Sequence, residues 1–116
     1  MQRLVESELL NLTSLILAGD LNCIVGAHEN WGRSCREDSM ADSLKAIVMD
    51  HNLVDIYPSN IAPTWDNDRT GDSYIRKHLD RFLLHDMLID RLGMVTSNII
   101  NCHISDHHPV ILHWHH

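Results

Sequence analysis

The stretch "LTSLILAGDLN", Leu12 to Asn22, decides how this chain is read. Seven residues rich in Leu and Ile run straight into a glycine and an acid, the length and composition of a strand buried on both faces that ends at Asp20. A strand period of 2 sends the side chains of Asp20 and Asn22 to the same face. Two readings of GDLN stand side by side: an Asx turn leaving the strand, or a carboxylate and a carboxamide presented together from a rigid edge.

Working outward, residues 2 to 11 have the apolar spacing of a short amphipathic helix. Gly, Asn, Arg, Ser and Asp dominate from Gly26 to Ser39, which describes a loop. "SMADSLKAIVMDHN" follows as a helix with Ser39 or Asp42 as its cap and Leu44, Ile47 and Val48 on its buried face. "LVDIYP" reads as a short strand stopped by Pro58. A hairpin is expected next, with strand residues Pro63 to Trp65, a turn from Asp66 to Asp72 and a return strand from Tyr74 to His85. A short helix near Met87 to Leu92, a strand in Val95 to Cys102 and a final strand from Val110 to Trp114 complete the chain. Helices mixed with several strands give an α+β, or layered α/β, class, and 116 residues fit one domain.

Composition narrows the function classes. The formal net charge of −7 repels a polyanion, so any contact with nucleic acid must be local. Five basic residues, Arg69, Arg76, Lys77, Arg81 and Arg91, fall in one stretch, where Asp72, Asp80, Asp86 and Asp90 nearly offset them. Three cysteines without CxxC spacing, Cys23, Cys35 and Cys102, argue against a disulfide framework and a structural zinc site, and suit a reducing compartment. No run is long enough to span a bilayer and none resembles a signal peptide, so the expectation is a soluble intracellular protein. The terminal His113, Trp114, His115 and His116 read as a frayed end that binds metals adventitiously.

Asp80 interrupts an apolar strand, "HLDRFLLH", in which Leu79, Phe82, Leu83 and Leu84 all suit burial. A carboxylate there needs a cationic or donor partner. Arg81 is its neighbour in sequence but faces the other side of the strand, whereas an imidazole from another strand can reach it. "SDHHPV", Ser105 to Val110, supplies one. His107 bound through one ring nitrogen to Asp80 has its tautomer fixed and its other nitrogen made more basic. Asp106 is left free to ligate a hard cation, Pro109 sets the chain into the last strand, and the set suits metal-assisted hydrolysis of a phosphoester.

The ordered set "ILAGDLN", "APTW", "HLDRFLL" and "SDHHPVIL" resembles the endonuclease/exonuclease/phosphatase superfamily, most closely the endonuclease domain of non-LTR (LINE-type) retrotransposon polyproteins. The resemblance spans about Leu15 to Leu112 and looks like the C-terminal half of that domain. It implies half of a four-layer β-sandwich flanked by helices, and a DNA endonuclease assisted by Mg²⁺ or Mn²⁺. It implies catalytic roles for Asp20, Asn22, Asp80 and His107, with Asp80 orienting His107. Thr64, Trp65 and Arg81 would lie against the substrate, and Asp106 near the metal. A retrotransposon origin would make the protein nuclear.

The family's first half supplies an asparagine and the principal metal-binding glutamate, and neither has a counterpart here. Glu6, Glu8 and Glu29 do not sit in a matching context, and His78 stands where a more strongly basic residue is usual. The expected consequences are weakened metal affinity and uncovered apolar strand faces that invite self-association or await the missing half. The competing reading is a non-catalytic retrotransposon-derived remnant or interaction module. A phosphatase acting on small phosphoesters is a third.

Overall fold

The computed structural model describes residues 12–32, 38–69, 71, 74–102 and 104–115. The helix expected over residues 2 to 11 lies outside them, as do Glu6, Glu8, Cys35, Asp72, His103 and His116. The chain folds as α+β, with three small sheets and two helices. In order these are β1 (Ile16–Asp20), β2 (Asn30–Gly32), α1 (Ala41–Asp50), β3 (Leu53–Asp55), β4 (Trp65–Asp66), β5 (Ile75–Lys77), β6 (Asp80–His85), α2 (Asp86–Leu92), β7 (Met94–Ile99) and β8 (Val110–His115). The sheets run β1-β6-β3, β2-β5-β4 and β7-β8, all antiparallel.

The most buried strand is β6, and it takes the centre of its sheet. Leu83 and Leu84 are buried, and Leu83 joins Cys23, Leu44, Ile47 and Leu53 in the core. Leu44 and Ile47 come from one face of α1, as the helical spacing predicts. The cap differs from expectation. Neither Ser39 nor Asp42 caps α1; Met40 precedes it without a side-chain bond, and Asp38 accepts from the Met40 N–H (2.9 Å) and, through its carbonyl, from Ala41 (3.0 Å).

β1 is an edge strand and not one buried on both faces. Leu17 packs against the core, while Ile16 on the opposite face stays 42% exposed. A Leu- and Ile-rich run signals apolar surroundings but cannot say whether each face finds a cover.

Two further expectations are corrected. The stretch from Gly26 to Ser39 is not all loop: a 3-10 turn at Ala27–Glu29 leads into β2, because the Glu29 side chain is drawn inside and its carboxylate accepts from the Val25 N–H (2.7 Å). The return strand expected from Tyr74 to His85 is two strands in two sheets. Between β5 and β6 the ladder breaks, with the His78 N–H donating to the Glu29 carbonyl (2.9 Å) and the N–H groups of Leu79 and Asp80 both donating to the Thr64 hydroxyl (2.9 and 3.1 Å). The chain passes from one sheet to the next at this break, which also sets where Asp80 begins β6. Gly93, at φ +85°, then ends α2, where a side chain would strike the His115 carbonyl.

Candidate functional site

Asp20, the last residue of β1, pairs directly with Asp80, the first residue of β6. Like charges opposite each other on a sheet repel. His107 stands between them: Nδ1 lies 2.9 Å from Asp80 Oδ2, and Nε2 lies 3.6 Å from Asp20 Oδ2. With Nδ1–H donating to Asp80, the lone pair of the neutral ring is on Nε2 and faces Asp20. The hydrogen bond to Asp80 is the main cause of a His107 pKa raised above the ordinary imidazole value, with smaller contributions from the charges of Asp80, Asp20 and Asp106 against a partial loss of hydration. The imidazole is 34% exposed, so solvent reaches it.

A short extended segment carries His107 into place. It bridges antiparallel to Trp65 on β4, held by the His108 N–H donating to the Thr64 carbonyl (2.7 Å) and the Asp66 N–H donating to the Asp106 carbonyl (3.0 Å). A cleft of about 500 Å³ opens beside it, lined by Ala18, Asp80, Phe82, Cys102, His107 and Val110 among others.

Asp80 and His107 meet as the sequence suggests; several other expectations change. Asn22 does not continue the strand face of Asp20. Its φ is +55°, and its N–H donates to Asp20 Oδ1 (2.7 Å), so GDLN forms an Asx turn that orients the Asp20 carboxylate from behind. Thr64 is buried, and its hydroxyl accepts the two N–H groups at the start of β6. Trp65 is half-buried, next to His107. Arg81, expected at the substrate, has a fully enclosed side chain. It donates to Glu29 (2.5 and 2.8 Å), Asp55 (2.8 Å) and the carbonyls of Cys23 and His78. Asp106 is not gathered with Asp20 and Asp80. Adjacent residues of an extended segment face opposite ways, so Asp106 lies with Asp66, Asp68 and Arg76 along a second cleft, behind His107.

The interior cluster around Arg81 is what the sequence reading missed. Burial pushes the Glu29 carboxyl up, but the hydrogen bonds from Arg81 and from the Val25 N–H more than reverse this and hold it below the usual range. Asp55 has less help from Arg81 and feels Glu29, so burial leaves it raised. Tyr57, half enclosed beside these two acids, is pushed up to about 12, and burial together with the Arg81 charge lowers His78.

Among the described residues, Asp20, Asp80 and His107 form a group with donor atoms within 4.8 Å of one another. One Asp80 oxygen is committed to His107 and one Asp20 oxygen to the Asn22 N–H, and Asp20 is the more exposed of the two carboxylates. Mg²⁺ commonly takes one or two carboxylates and keeps several waters. The donor set therefore fits a largely hydrated cation and not a dehydrated protein cage. Neither a protein-family model nor a curated protein matches the chain.

Proposed function

We propose that this chain is a metal-assisted phosphodiester hydrolase that cuts DNA, of the endonuclease/exonuclease/phosphatase type that its motifs resemble. The observation that carries the reading is the row Asp80, His107, Asp20, in which a carboxylate-oriented imidazole faces a second carboxylate across 3.6 Å. In the finer architecture we propose, the β1-β6-β3 sheet and the β7-β8 pair are facing layers of a larger sandwich.

In this reading a water contacting both Asp20 Oδ2 and His107 Nε2 is the nucleophile. Nε2 takes its proton, the oxygen attacks phosphorus, and the bond from phosphorus to the leaving sugar oxygen breaks. That oxygen takes up a proton from the imidazolium or from solvent. Asp80 fixes the tautomer that leaves Nε2 free and stabilises the imidazolium formed. Asp20 would hold Mg²⁺ or Mn²⁺, which supplies neutralisation of phosphate charge when bound.

The test compares hydrolysis of bis-p-nitrophenyl phosphate with that of p-nitrophenyl phosphate by wild type and His107→Ala, with Mg²⁺ and with EDTA. Diester hydrolysis that needs both metal and His107 supports the reading; preference for the monoester points to a phosphatase.

One set of observations favours the non-catalytic alternative. Ile16 and Val54, which flank Leu84 in one row of the β1-β6-β3 sheet, are both more than a third exposed, an apolar strip suited to self-association or to a further part of the sandwich. No described helix is long and apolar enough to cross a membrane.

A further inference from the structure

Three cross-strand pairings place four residues in one row: Asn30 opposite Lys77, Lys77 opposite Trp65, and Trp65 opposite His107. Directly paired residues put their side chains on the same face, so Lys77, Trp65 and His107 share one side of the sheet. The neighbouring row, Trp31, Arg76 and Asp66, takes the other side, as the Arg76 to Asp66 ion pair of 2.9 Å attests.

Charge together with its place in the His107 row makes Lys77 distinctive. A phosphodiester approaching His107 meets the carboxylates of Asp20 and Asp80 and is repelled unless a cation stands nearby. Arg81 is enclosed, Arg76 is held by Asp66 and lies over the Tyr74 ring, and Arg91 is turned to Thr13 and Ser14. No ion pair joins Lys77 to an acid among the described residues. Two strand spacings put its Cα roughly 10 Å from that of His107, a span bridged by one or two nucleotides of an extended strand.

We propose that Lys77 and Trp65 form a strand-holding subsite next to His107, in which Lys77 binds a phosphate one or two nucleotides from the scissile one and the Trp65 indole packs against an intervening unpaired base. This inference rests on the hydrolase reading and narrows its substrate to an unpaired segment of DNA. Indole stacking is available only to a base freed from its pair.

The test is anisotropy of a short fluorescein-labelled DNA single strand, in EDTA so that nothing is cleaved, across a salt series, with wild type, Lys77→Gln, Lys77→Arg and Trp65→Ala. Lys77→Gln should flatten the slope of log K against log salt by about 0.7, the share of one phosphate contact on a single strand, while Lys77→Arg keeps the slope. Trp65→Ala should weaken binding about 5-fold or more, and a duplex of the same sequence should bind more weakly. An unchanged slope in folded Lys77→Gln, or no binding by wild type at low salt, overturns the subsite. Lys77-dependent binding without His107-dependent hydrolysis removes the hydrolase reading and leaves the subsite standing.

Discussion

His107 Nδ1 lies 2.9 Å from Asp80 Oδ2, while Nε2 of the same ring lies 3.6 Å from Asp20 Oδ2. One nitrogen is committed to a carboxylate on β6, and the other is held at the end of β1 where a reacting group can reach it.

That asymmetry makes His107 more basic than an ordinary imidazole and favours one tautomer. Its raised pKa gives a stabilising interaction that is fully present below the unfolded imidazole value of about 6.5 and is lost as pH rises through the folded value. Asp80→Asn is expected to lower the His107 pKa in an NMR titration of its ring protons. An unchanged titration would show that the Asp80 contact does not persist in solution.

Arg81 is expected to matter for folding before chemistry. Arg81→Met leaves Glu29 and Asp55 buried without their cation and should cost about 3–5 kcal/mol in urea unfolding. The double variant Glu29→Gln with Arg81→Met should recover part of that loss, since one orphaned charge is gone. Equal additive losses would contradict the coupling.

Thr64 is expected to act through the backbone of Asp80. Thr64→Val keeps the shape but strands the N–H groups of Leu79 and Asp80, at about 1–3 kcal/mol for each orphaned donor. Thr64→Ser retains the acceptor and should lose much less. Denaturant midpoints that rank Ser with Val would show that the methyl group, and not the hydroxyl, sets the cost.

The sequence announced the parts of this arrangement that depend on local contrast. An acid inside "HLDRFLL" demanded a partner, and His107 before an apolar strand was a reachable one. The face of α1 was legible from the spacing of Leu44 and Ile47. What could not be read depended on distant partners. Glu29 looked like an ordinary loop residue because its cation is 52 positions away. The break between β5 and β6 was hidden because the acceptor that causes it, the Thr64 hydroxyl, comes from 15 positions upstream. Asn22 followed turn chemistry where strand alternation had placed it beside Asp20.

The most direct measurement is nicking of supercoiled plasmid by the purified chain, with Mg²⁺ or EDTA, for wild type, His107→Ala and Asp80→Asn. The account expects wild type to nick only with metal, His107→Ala to be inactive, and Asp80→Asn to be slowed with its rising pH limb moved to lower pH. Folded wild-type protein that does not nick, or a His107→Ala variant that nicks as fast as wild type, would contradict it.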